Sequence, residues 1–109
     1  MEQSFAGKTA LVTGAASGIG KAIAIIYAQQ GANVLVSDLD VEKGQAVAEQ
    51  ISGMGVQSHF VRADVDNPNE CEMLVNEAVN QFGRLDIACN NAGIGGELNT
   101  TGDYSIEGW

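Results

Sequence analysis

Basic residues are scarce. Five Lys and Arg stand against 14 Asp and Glu, and the 109 residues carry a formal charge of −9. Nucleic acid and anionic membrane are poor partners for such a chain, because both are held by clustered Lys and Arg. Cysteine is limited to Cys71 and Cys89. Two are too few for a disulfide scaffold, they form no C-x-x-C, and His59 completes no zinc site with them. The expectation is two reduced thiols in a cytoplasmic protein, with no metal. A single proline and no G-x-y period exclude collagen. The longest apolar run, Ala22 to Ala28, is far short of the ~18 residues that span a bilayer. Met1 to Phe5 show neither the basic nor the apolar region of a signal peptide.

Glycine, by contrast, is abundant: 14 residues of 109, nearly twice the usual ~7%. It must be serving specific backbone turns. Hydrophobic residues make up 45% of the chain, enough for the core of one domain or part of one.

Strand-like and helix-like segments alternate. Thr9 to Thr13 reads as a first strand and Asn33 to Ser37 as a second. Ser58 to Ala63 reads as a third and Leu85 to Cys89 as a fourth. Between the first two, Ile19, Ala22, Ile23, Ile26 and Tyr27 recur at helical spacing, and Gly31 stops the helix. Val47, Ile51 and Met54 mark a second helix with Asp40 as its N-cap and Gly53 and Gly55 at its end. The third has Asn67 at the N-cap, Pro68 at the first helical position and Glu70 in the capping-box position. Its apolar stripe runs through Cys71, Leu74, Val75, Ala78, Val79 and Phe82, and Gly83 ends it. Continuous apolar strands between amphipathic helices predict an α/β fold, a Rossmann-type doubly wound parallel sheet. Residues 1–109 would form its β-α-β-α-β-α-β N-terminal part. Gly95 to Gly102 read as a loop. Ser105 would cap a further helix, which Trp109 cuts short, so the chain reads as a fragment of a longer domain.

Thr13-Gly14-Ala15-Ala16-Ser17-Gly18-Ile19-Gly20 lies between the first strand and the first helix. A Walker A loop ending at Gly20-Lys21 fails at two positions, where Ala15 and Ala22 stand. G-x-G-x-x-G from Gly18 fails at Ile23. The pattern that fits is G-x-x-x-G-x-G. Glycines there let backbone N–H groups at a helix start approach a pyrophosphate without a Cβ in the way. They also suit a tight turn with no ligand. The acid Asp38, 18 residues after Gly20 at the end of the second strand, favours a dinucleotide, since a ribose-binding acid belongs about 20 residues on.

These residues resemble the short-chain dehydrogenase/reductase family. Thr13-Gly14-x-x-x-Gly18-Ile19-Gly20 matches its cofactor turn, and Asn90-Asn91-Ala92-Gly93 after the fourth strand matches its second hallmark. Asp64-Val65 matches the position at which the family holds adenine. Lys8 to Val12 and Gly83 to Asp86 are similar to its lead-ins to the first and fourth strands. The resemblance covers essentially the whole chain. It implies a strand order beginning 3-2-1-4, and hence an unpaired outer edge on the fourth strand of this piece. It implies a cofactor site of Gly14, Ser17, Gly18, Ile19, Gly20, Asp38, Asp64, Val65 and Asn90 to Gly93. It also implies NAD(H)-dependent hydride transfer on a small alcohol or ketone, and a homo-oligomer. Asp64 could also be a loop acid or local cap, and Asn90 and Asn91 could serve only to satisfy backbone groups in a turn. A non-catalytic dinucleotide-binding module is the alternative function.

The family's acid/base is a tyrosine with a lysine four residues later and a serine upstream. Lysine lowers the tyrosine's pKa so that it exchanges protons near neutrality. Lys8, Lys21 and Lys43 are preceded at that spacing by Ser4, Ser17 and Leu39; Tyr27 and Tyr104 are followed by Gly31 and Gly108. No catalytic residue is assigned. For the cofactor's form, the basic residue with which such proteins hold the 2′-phosphate of NADP is missing: Ser17 is neutral, and Asp38, Leu39 and Asp40 follow the second strand. NAD is expected.

Overall fold

Runs of β-branched and other apolar residues extend as strands, and the glycine- and asparagine-rich segments between them turn the chain. The computed structural model describes residues 4–90 and the strand at 103–104. Among these, β1 (Thr9–Thr13), α1 (Gly18–Gln29), β2 (Asn33–Asp38), α2 (Val41–Ser52), β3 (Ser58–Arg62), α3 (Pro68–Phe82), β4 (Ile87–Cys89) and β5 (Asp103–Tyr104) follow one another. They build one sheet in the order β3-β2-β1-β4-β5.

The four parallel strands stand in the expected order. β1 pairs with β2 from Thr9↔Asn33 to Thr13↔Ser37 and with β4 from Ala10↔Ile87 to Val12↔Cys89. β2 pairs with β3 from Val34↔Ser58 to Asp38↔Arg62. The bare outer edge expected of the fourth strand is not found. β5 lies antiparallel on it, Ala88 against Tyr104 and Cys89 against Asp103. An antiparallel partner needs only a reversal of the chain and no crossover helix, so a two-residue strand can cover an edge where the sequence offers no strand pattern.

Side chains alternate between two cores. Ala10, Val12, Val34 and Val36 face α1 and α2, meeting Ala24, Tyr27, Ala28, Val47 and Ile51. Leu11 and Leu35 face the other way, onto Leu74 and Ala78 of α3. Each fully buried Val or Leu contributes about 1.5–3 kcal/mol relative to exposure. The expected stripe of α1 is corrected. Gly20, Ala24, Tyr27 and Ala28 are buried, whereas Ile19 and Ile26 are each 55% exposed and Ala22 is exposed. Small side chains let this helix lie close to the sheet; Tyr27 is buried among them, Ile23 and Ile25 pack partly against the core, and Ile19 and Ile26 are turned outward. In α3, Leu74 and Ala78 are buried as expected, but Val79 is exposed.

The helix caps are local chemistry. Asp40 accepts the Lys43 N–H (3.0 Å) and starts α2. Asn67 accepts the Asn69 N–H (3.0 Å) at the start of α3. Glu70 does not close the expected capping box. The Asn67 N–H goes to the Asp64 carbonyl, and the Glu70 carboxylate reaches past it to the Asp64 N–H (2.8 Å) and Asn67 Nδ2 (3.3 Å).

The fourth strand begins at Ile87 rather than Leu85 because Asp86 serves as a clamp. Its carboxylate accepts the Thr9 N–H (2.9 Å) and a fork from Arg84, Nε at 2.8 Å and Nη2 at 2.7 Å, while its own N–H donates to the Thr9 carbonyl. The hydrogen bond from Arg84 holds the Asp86 carboxyl below its ordinary value of 3.8; burial opposes this and the Thr9 N–H adds to it. On the other side of the sheet, Gly44 of α2 lies against the Phe60 ring of β3, and a Cβ there would overlap the ring.

Two stability outcomes follow. Gly44→Ala gains about 1 kcal/mol of helix propensity but overpacks at a cost of about 1–3 kcal/mol, so urea unfolding will show a net loss. In a Phe60→Val background the sign reverses, and the same substitution stabilises. For Asp86 the depressed carboxyl gives stability above its ordinary value of 3.8 that is lost as pH falls through the lower folded value. Asp86→Asn is therefore less stable than wild type at neutral pH, and the gap between their unfolding midpoints narrows below that value. A gap constant with pH would show that the ionised clamp does not contribute.

Candidate functional site

Parallel strands bring their carboxyl ends to one edge of the sheet, and the turns beyond β1, β2 and β3 enclose a cleft of about 180 Å³ there. The end of β1 and the turn after it supply Thr13 and Gly14, and the end of β2 and the residue after it supply Ser37, Asp38 and Leu39. The turn after β3 supplies Asp64, Val65 and Asp66. Thus Gly14, Asp38, Asp64 and Val65, assigned from sequence to one site, do line one cleft.

The glycine turn closes one side. Gly18 has φ +59°, a left-handed conformation that an L side chain adopts at a cost of about 1–2 kcal/mol. The strand does not crowd it. Among the described residues, a Cβ on Gly18 would meet no atom within 4 Å, so none of them fills the space in front of the helix start. Gly20 is buried on the sheet side and Ile19 is exposed. Ser17 occupies the N-cap of α1 in extended conformation, and its side chain makes no capping hydrogen bond. The first turn of α1 holds no acid, whereas α2 has Glu42 behind its Asp40 cap and α3 has Glu70 behind its Asn67 cap. Free N–H groups and the positive end of the helix dipole are thereby left for an external anion. Lys21 and Lys43, two of the five basic residues, line an adjoining open groove with Ser17, Gly18 and Gln50.

The acids of the site hold its backbone. Asp38 accepts the Ala16 N–H on Oδ2 and the Asp40 N–H on Oδ1, each at 3.0 Å, and the Ala15 N–H donates to the Ser37 carbonyl (3.0 Å). Asp64 accepts the Asp66 N–H (3.0 Å) while Glu70 accepts its own N–H. It is both a local cap and a cleft residue. The Val65 carbonyl accepts the Cys71 thiol (3.3 Å). Burial, then Glu70, Asp64 and Asp66, push that thiol's pKa up and keep it a donor. Asn90 is exposed, and its Oδ1 accepts the Thr13 hydroxyl (3.1 Å), tying the ends of β1 and β4. Asn91, Ala92 and Gly93 lie outside the described residues.

Three residues enter that sequence reasoning did not assign. Thr13 carries the bond to Asn90. Glu70 fixes the backbone of Asp64. Ser37 is fully buried on the cleft wall with no partner for its hydroxyl among the described residues, a cost of about 1–3 kcal/mol; its signal was a lone polar residue in Val34-Leu35-Val36-Ser37. An uncapped helix start, space at Gly18 that no described residue fills, an acid at the end of β2 and a hydroxyl without a described partner suit a ligand with phosphate in one part and hydroxyls and ring nitrogens in another. Among the described residues no cluster of His, Cys, Asp and Glu could hold a metal, and no helix is long and apolar enough to cross a membrane.

The family model described as short chain dehydrogenase matches residues 8–109. Cyclohexanol dehydrogenase of Acinetobacter sp. (strain SE19) is 46% identical over the whole chain, which covers 43% of that protein. The 3-oxoacyl-(acyl-carrier-protein) reductase of Staphylococcus aureus (strain Mu50) is 47% identical over 88 residues, 80% of this chain and 36% of the relative. Among solved structures, a hydroxysteroid dehydrogenase from Escherichia coli superposes with a TM-score of 0.77 at 40% identity, over 82% of this chain and 38% of that one. The chain spans less than half the length of these relatives.

Proposed function

The chain belongs to the short-chain dehydrogenase family, and from that premise we propose that the protein is an NAD(H)-dependent oxidoreductase acting on a small secondary alcohol or its ketone. When bound, the nicotinamide accepts or returns the hydride, and the part of the protein described here binds and orients the dinucleotide. In this reading the α1 N-terminus faces the pyrophosphate and Asp38 the adenosine ribose. Asp64 and Val65 take the adenine edge, and Asn90 to Gly93 follow the cofactor along β4. The proton-transfer groups come from a Tyr-x-x-x-Lys pair, which these 109 residues do not contain. The working form is a cytoplasmic homo-oligomer.

The observation that carries the choice of NAD is Asp38 on the cleft wall with no base in the glycine turn or directly after β2: Ser17 precedes the middle glycine, and Leu39 and Asp40 follow Asp38, while the nearest base in register is the exposed Arg62 of β3. A carboxylate accepts hydrogen bonds from ribose hydroxyls and repels a 2′-phosphate.

Fluorescence titration of the full-length protein is the test. NADH is expected to bind about ten- to a hundredfold more tightly than NADPH, the range of one charged hydrogen bond. Ser17→Arg or Leu39→Arg narrows the difference from the NADPH side. Equal affinity for the two cofactors in the wild type overturns the choice of NAD.

A further inference from the structure

We propose that Asp38 is also a positioning residue for the glycine turn: its carboxylate is the strut that fixes the backbone presenting phosphate-binding N–H groups, besides facing the ribose. The inference deepens the nucleotide reading above and rests on it. Asp38 Oδ2 takes the N–H of Ala16 across 22 residues of sequence. Ala16 is 6% exposed and Asp38 is half-buried on the cleft wall, so this charge-assisted bond is partly shielded from water. The neighbouring Ala15 N–H is held by the Ser37 carbonyl. Two successive donors of the turn are thus pinned to the end of β2. Ser17 then runs extended, at φ −159° and ψ 170°, and Gly18 turns left-handed into the helix. The last fixed point before the uncapped helix start is the Ala16–Asp38 bond.

The second oxygen is equally committed. Oδ1 takes the Asp40 N–H, at the N-cap of α2. Each carboxylate oxygen accepts a second hydrogen bond, so both ribose hydroxyls can still be served. One side chain therefore joins the turn after β1, the start of α2 and the cleft. Asparagine cannot replace it, because its amide would turn N–H against one of the two backbone donors.

The two roles separate in a cycle on the full-length protein. NAD and its analogue lacking both adenosine ribose hydroxyls are titrated against wild type, Asp38→Ala and Asp38→Asn. A residue that only reads those hydroxyls is silent toward the dideoxy cofactor. Removing its charge would, if anything, tighten the hold on phosphates. A strut predicts the opposite sign: the dideoxy cofactor weakens about ten- to a hundredfold in Asp38→Ala. A second readout needs no cofactor. Amide exchange at Ala16 is slow in wild type and expected to be at least tenfold faster in Asp38→Asn at an unchanged melting temperature. Unchanged exchange at Ala16, or dideoxy cofactor binding as tightly to Asp38→Ala as to wild type, overturns the strut. Failure of wild type to bind NAD at all overturns the nucleotide reading, and the exchange measurement still decides the strut.

Discussion

Strand β1 is closed off on every side. All five of its residues are buried, its backbone is taken up by β2 and β4, and its side chains divide between the two cores. Polar side chains are confined to its ends, Thr9 and Thr13. The strand that organises the sheet thus has little room for chemistry. Its chemistry is displaced to the turn after Thr13, where the chain leaves the sheet and runs to a helix start that its N-cap side chain does not cap. The parallel direction of β2 and β3 then brings Asp38 and Asp64 to the same edge. A buried central strand and a ligand cleft at its carboxyl end are two results of one constraint.

That constraint also explains what could be read from sequence. Strands buried on both faces must be apolar throughout, so β1 and β2 stood out in the residue pattern. Caps at Asp40 and Asn67 were legible because their side chains act on N–H groups two or three residues away. The face of α1 was not. Ile19 to Ala28 is apolar nearly all round, so its period marks no preferred side. Glycine and alanine went inward because the sheet lies close, and that distance is a tertiary quantity. Glu70 was read as a local cap and serves Asp64, six residues back. β5 has no pattern of its own and exists only by pairing with β4.

At the site, sequence spacing pointed to Gly14 and Asp38 and the family resemblance to Asp64 and Val65; they meet because strand ends in a parallel sheet converge wherever the helices between them are. It did not find how they hold one another. Asp38 to Ala16 and Thr13 to Asn90 span 22 and 77 residues, and nothing local in sequence announces such bonds.

Sequence separation also sets an order of assembly. The bond between Gln57 and Asn33, where β3 joins β2, closes 24 residues, whereas the Thr9–Asp86 clamp closes 77. Loop entropy grows with the logarithm of length, so the longer closure costs only about 1 kcal/mol more. Direction of synthesis matters more. A chain made from its N-terminus has β1, β2 and β3, and with them the whole cleft wall, before Asp86 exists to fasten β4. The edge that carries the cleft is built first, and the clamp on the far side of β1 closes after it.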